Sequence, residues 1–504
     1  MKPRATATGP TRRQWIFLCC LFVLSLPAVT PRIYSSDEIQ YFAYLRSIWF
    51  DGDLSFDNEY QYFYDHGISR SAGFHETFLE RTTETGRRIN FGTIGCAILW
   101  APFYAVGDVV TRASGAPADG FSKPYLAAIA VGSAFYGFLA LVLAILCARR
   151  LELNGFRAAL AIWLGTSLLL YMYIAPPFSH ACSAFGVALF TYAWLRVRDT
   201  WSTRGMIALG AAAALMAMIR EQDAFFVAGP ALDFLMSEGR EGWRLVLNGE
   251  VMAAGARTLE LRKLKKVLAA AAGFAIAFAP QAATYVVLNG RLGPHASVGH
   301  KMNWVGAHSL QVLFSPEHGL FVWTPLALIS IAGLFYLARP ANDADSGDIE
   351  IQERVWTRGA SDRPLMRSAR YRYSRNYQVA SSLLVMVALQ VYVGGSVESW
   401  TVAGAFGQRR FIALTCAMVI GYAALDAAAR TWSRGARTGL AAITVLLVYW
   451  NLALVAEFSI GLMDRQRLEP AKNAYDAFVT LPRLAPSLAY RYLFERGSFY
   501  KPGS

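Results

Sequence analysis

The sequence predicts an all-α polytopic membrane protein, and three observations carry that reading. Of the 504 residues 55% are hydrophobic and 16% charged, with a mean hydropathy of +0.31. Apolar runs long enough to cross a bilayer recur along the whole chain, so one membrane domain spanning 1–504 is expected rather than several soluble ones. The basic residues behind the net charge of +13 are scattered through the connections between these runs. That distribution suits topology signals and not a nucleic-acid surface. The six cysteines lie in or beside apolar runs without metal-ligand spacing, so neither a disulfide framework nor a structural zinc is expected.

The first span, 14–31, follows Arg12 and Arg13. The arginines ahead of WIFLCCLFVLS resemble a secretory signal, but a run followed by ten more spans reads better as an uncleaved anchor. It delivers residues 32–123 to the far side as a first extracytoplasmic loop. There, RIYSSDEIQYFAYLRSIWF sets Asp37 and Glu38 just beyond the end of the span. Ile39, Tyr41, Phe42, Leu45, Ile48 and Trp49 follow at helical spacing, which reads as a helix lying in the interface. A carboxylate fixed at that boundary can act as a base towards a substrate held in the bilayer. The plainer reading is a helix start, with Ser35 and Ser36 as caps and the acids facing the helix dipole.

Residues 91–110 could just cross, yet Gly92, Gly95, Pro102, Gly107 and Asp108 make them a poor span. Central spans within 124–338 are expected at 124–148, 158–174, 180–195, 205–219, 223–236, 267–288 and 319–338. A basic cytoplasmic loop, 339–376, precedes C-terminal spans at 377–394, 411–429 and 438–458 (within 377–460), and 461–504 form a surface tail. If 91–110 stay outside as a juxtamembrane helix, the cytoplasmic connections hold 24 Lys and Arg. The opposite side, apart from the first loop and the tail, then holds 5. A crossing at 91–110 would invert that asymmetry, so the positive-inside rule favours about eleven spans. The mixed charge of 339–376 reads as a loop lying against anionic lipid.

In this topology the uncommon polar residues share the extracytoplasmic face. They are Asp37 and Glu38, His180 in YIAPPFSHACSAF, Arg220 in MIREQDAFF, His300, Lys301 and His318 in the loop 289–319, and Arg409 and Arg410 in WTVAGAFGQRRFIAL. Cations that hold a phosphate beside a carboxylate that handles a proton suit a lipid-linked anionic substrate. Asp37 and Glu38 are the candidate catalytic pair. Arg409, Arg410, His180, Lys301 and His300 are candidate phosphate ligands, and Tyr41, Arg220 and His318 candidate substrate contacts. Each has a plainer reading as well: His180 as a structural histidine, the arginines as a span boundary, the His300–Lys301 loop as a connector. The boundary reading fits Arg409 and Arg410 badly, because they stand on the arginine-poor side. Gly404 and Gly407 just before them allow backbone amides to approach an anion.

An N-terminal span, an acidic pair opening an interfacial helix, a juxtamembrane helix and polar span mouths on the outer face together resemble the GT-C superfamily of integral-membrane glycosyltransferases. The nearest resemblance is to the branch of dolichyl-phosphate-mannose protein mannosyltransferases and bacterial aminoarabinose transferases. LFSPEHGLFVWTPLAL and WTVAGAFGQRRFIAL also look like stretches found in bacterial membrane proteins of this type. The resemblance implies an inverting enzyme of the cell membrane, with its active face outside. It would move a hexose or pentose from a polyprenyl phosphate to a protein, lipid or polysaccharide acceptor. It sets the family's acidic residue on Asp37 or Glu38 and its phosphate-holding base on Arg409 or Arg410. A divalent metal is allowed but not required. One departure stands out: where members often carry a second acidic residue, PPFSHACSAF has His180, which argues against metal binding. The reading from another class is a transporter or flippase of a lipid-linked glycan. That function calls for polar residues near mid-membrane and matched halves, whereas here they gather at one face. A non-catalytic assembly subunit is a third reading.

Overall fold

The structure is a computed structural model and describes residues 9–69, 71–247, 253–339, 352–355, 365–368, 375–402 and 404–497. Among the described residues, five helices are both long and apolar enough to cross a membrane: Lys123–Arg150, Leu261–Asn289, Asn376–Ser396, Arg409–Ala429 and Arg434–Ile460. The first of these, at 28 residues, is about 42 Å long at 1.5 Å per residue, more than the hydrocarbon thickness of a bilayer. These helices carry the membrane character of the chain.

The other expected spans fall on helices that are shorter, interrupted or less apolar. The first becomes the 14-residue helix Arg12–Ser25. The segment 158–174 breaks into Phe156–Gly165 and Leu168–Tyr173. At the break the Thr166 hydroxyl donates to the Ile162 carbonyl at 2.7 Å and accepts from the Leu168 amide at 3.3 Å, replacing part of the helical ladder. Similarly, 319–338 divides into Leu320–Trp323 and Leu326–Leu337 around Pro325, which has no amide to donate. The segment 223–236 opens as the tight turn Glu221–Val227 before the helix Ala228–Leu247. Residues 91–110 form the helix Gly95–Ser114 with Pro102 inside, which is not among the helices apolar enough to cross.

Two connecting regions carry structure of their own. The segment 32–123, expected to hold interfacial helices, contains short helices, Ser36–Arg46 and Asp57–Asp65 among them. Their rings Phe42, Phe56, Tyr60 and Phe63 pack with Trp100, Tyr104 and Tyr125 in a core of their own. Within 339–376, most of which lies outside the described residues, Gln352–Val355 pairs antiparallel with Leu365–Ser368. Among the described residues, that short hairpin holds the named strands and the other regular elements are helical.

Close backbone approach draws the bundle together. A Cβ added at Gly333 would lie 1.8 Å from the Gly421 carbonyl oxygen, and one at Gly210 would lie 1.9 Å from that of Ala270. Small residues let helices meet at these points where lipid supplies no hydrophobic drive. The helices His180–Val197 and Thr203–Ile219 pack against each other, so His180, which begins one, and Arg220, which ends the other, come to the same end.

Candidate functional site

The site is assembled from four separated stretches. Asp37 lies in the first turn of Ser36–Arg46, and its Oδ2 accepts from Arg409 Nη2 at 2.8 Å. The Arg409 side chain is 18% exposed and that of Asp37 44%, so the pair is open from the carboxylate side. The Arg409 guanidinium sits over the Phe178 ring, 4.9 Å from its centre, which fixes its plane. Buried Arg410 donates to the Ser399 carbonyl at 3.0 Å and to the Ser399 hydroxyl at 3.2 Å. The loop leading into the arginines is pressed down on the bundle. Gly407 has φ +58°, and a Cβ there would meet the Ser167 hydroxyl at 2.6 Å. The Phe406 amide donates to the Tyr171 hydroxyl at 3.2 Å. Glycine at 407 thus allows the chain to turn inward and deliver both guanidinium groups.

His180 is buried, edge-on to Tyr171 with ring centres 4.8 Å apart and stacked with Phe178 at 5.8 Å. Its Nδ1 has no hydrogen-bond partner among the described residues, and the charges of Arg220, Arg409 and Arg410 all act on the ring. Arg220, also buried, donates from its guanidinium to the side-chain carbonyl of Gln222. Beside it Asp223 is fully buried: Oδ2 accepts from the Ser183 hydroxyl at 2.6 Å, while Oδ1 has no partner among the described residues. The Tyr41 phenol hydrogen-bonds Ser179 and feels both Arg220 and Asp37, and burial raises its pKa. Three guanidinium groups, two carboxylates, an imidazole and a phenol therefore share one end of the bundle. An anion is what such a surplus of donors and positive charge can hold.

Glu38 points elsewhere. Its Oε2 accepts from the backbone amides of Tyr34 at 2.5 Å and Ser35 at 2.9 Å, closing the start of its own helix. Burial, more than the adjacent Asp37, pushes its carboxyl up to about 8. Neighbouring carboxylates are thus divided, one engaged with an arginine and the other folded back on the chain.

The remaining predicted residues make their contacts apart from Asp37. Lys301 Nζ lies 4.1 Å from the centre of the Phe91 ring, and the Lys301 carbonyl accepts from the Glu398 amide at 2.8 Å. His300 is exposed at the end of the short helix Ala296–His300. His318, buried with φ +68°, donates through Nε2 to the Arg465 carbonyl at 2.9 Å and stacks on Trp323 at 4.8 Å. Trp323 in turn meets Phe406 edge-on at 5.6 Å, so His318 ties the tail to the loop that carries the arginines. Sequence reasoning passed over Phe178, Ser399 and Tyr171 as site residues. Only the Pro176–Pro177 break beside Phe178 marks that stretch as unusual.

Among the described residues no group of three or more His, Cys, Asp or Glu side chains gathers as a metal site. At Asp37, the exposed carboxylate of this site, the nearest partner is a cation, so the donor set does not fit a divalent metal. Compared with models of known protein families and with curated proteins, the chain finds no match.

Proposed function

We propose that this protein is a membrane glycosyltransferase of the GT-C kind, with about eleven spans and its active end on the extracytoplasmic face. It takes a sugar from a polyprenyl phosphate and joins it to a hydroxyl-bearing acceptor with inversion. The observation that carries this reading is the convergence of Asp37 with Arg409, Arg410, Arg220 and His180 from stretches far apart in the chain. Arginines buried inside a membrane protein, as Arg220 and Arg410 are, are costly unless paired, and a lipid-linked phosphate can supply such a partner. The side assignment draws on the distribution of Lys and Arg, 24 against 5.

In this mechanism Arg409 and Arg410 hold the carrier phosphate through charge-assisted hydrogen bonds. The Asp37 carboxylate takes the acceptor's proton as the acceptor oxygen attacks the sugar's anomeric carbon, and the bond to phosphate breaks. Tyr41 and Arg220 border the acceptor side, and His180, kept among three arginines, serves as a hydrogen-bonding group to the phosphate. The experiment is turnover of a polyprenyl-phosphate sugar by wild type and by Asp37→Asn, which keeps the shape and removes the base. The expected result is loss of transfer with expression unchanged. Full transfer by Asp37→Asn, or movement of the intact lipid-linked sugar across vesicles without transfer, would remove the proposal.

A further inference from the structure

The candidate base is engaged by an arginine of its own site. Asp37 Oδ2 lies 2.8 Å from Arg409 Nη2, and the Arg409 guanidinium lies over the Phe178 ring, 4.9 Å from its centre. Arg410 is anchored differently, by the carbonyl and hydroxyl of Ser399, both uncharged. One arginine therefore has a charged partner to give up and the other does not. The carboxylate is also the more exposed member of its pair, so a newcomer approaches Arg409 from the Asp37 side.

We propose that Asp37 and the carrier phosphate compete for Arg409, so that the arriving phosphate displaces the carboxylate and only then makes it available as a base. This rests on the reading of the site as a glycosyltransferase centre and adds an order to it: donor first, acceptor second. The charges balance through the step. The acceptor O–H proton goes to Asp37, the acceptor oxygen bonds to the anomeric carbon, and the carbon–oxygen bond to phosphate breaks with its electron pair passing to the phosphate oxygen. The phosphate thus gains a negative charge as Asp37 loses one. Arg409 faces the growing charge and is no longer drawn back by the carboxylate. Regeneration follows when the protonated Asp37 releases its proton and recovers Arg409 from the departing polyprenyl phosphate.

The test is binding of a synthetic polyprenyl phosphate to the full-length protein in detergent, with the uncharged polyprenol as control. Removing the competing charge in Asp37→Asn is expected to tighten polyprenyl phosphate by about tenfold, the size of a partly exposed ion pair's influence, and to leave polyprenol unchanged. Arg409→Gln is expected to weaken polyprenyl phosphate by about tenfold or more, and the double variant to bind no tighter than Arg409→Gln alone. Should Arg409→Gln fail to fold, Arg409→Lys keeps the charge and still predicts tightening when Asp37→Asn is added. Equal affinity in wild type and Asp37→Asn, with Arg409→Gln weakened, overturns the competition while leaving the phosphate site standing. Absence of phosphate-dependent binding in wild type and Asp37→Asn alike overturns both the site and the competition.

Discussion

Replacing Glu38 with glutamine isolates the energetic effect of a buried carboxyl beside the candidate base. In the folded chain Glu38 holds its proton up to about 8, against 4.5 when solvated, and burial is the main cause. Between those two values the folded state binds more protons than the unfolded one, so stability is fullest at low pH and falls as pH rises. By neutral pH the accumulated loss is about 3 kcal/mol, taking ~1.4 kcal/mol per unit above the solvated value. Glutamine keeps a carbonyl oxygen for the amides of Tyr34 and Ser35 but has no proton to lose. Thermal unfolding in detergent across this range should therefore show a shallower decline for Glu38→Gln than for wild type. Glu59, pushed to about 7 chiefly by burial, gives a slope of the same sign in both proteins, so the difference between the curves is the readout. Turnover should survive, because the group closes a helix start rather than facing Arg409. Parallel pH curves for the two proteins would refute the assignment of a buried, protonated Glu38.

The remaining predictions concern the arginines and the topology. Arg410→Ala should weaken polyprenyl-phosphate binding by about one to two orders of magnitude with the fold intact, and Arg410→Lys should restore only part, since lysine cannot bridge Ser399 and a phosphate with one planar fork. Equilibrium binding of the labelled carrier measures both, and unchanged affinity in both would sink the role. In a background lacking the six native cysteines, a cysteine at Ser309 should react with an impermeant thiol reagent in intact cells. One at Ser346, outside the described residues, should be shielded, and labelling at Ser346 alone would invert the topology.

Much of the helical layout was legible in the apolar periodicity, because a run that must satisfy its own backbone in lipid has little choice but helix. The interruptions were less so. Pro325 announces its break, but the one at Thr166 depends on a hydroxyl that reroutes two backbone groups, and threonine sits in many unbroken helices. The short hairpin within 339–376 escaped notice because its strands are four residues each and lack a clean alternation. At the site, rarity of charge on one face singled out Asp37, Arg220, Arg409 and Arg410, and the structure brings these together. It could not show that Glu38 turns back to Tyr34, since adjacent residues on a helix look alike in sequence and point about 100° apart. Nor could it separate Lys301, which lies over Phe91, from the other cations, because a loop has no periodicity to say where it folds.

The bond between Asp37 and Arg409 joins positions 372 residues apart. A ribosome finishes one partner long before it starts the other, at about 5–20 residues per second, so for tens of seconds the early carboxylate waits in the membrane with its counterpart unmade. During that interval the half-built chain carries the acid without the arginine that pairs with it. The pair closes late, once the helix beginning at Arg409 inserts beside its older neighbours. A truncated product ending before it would keep Asp37 without Arg409 as its partner.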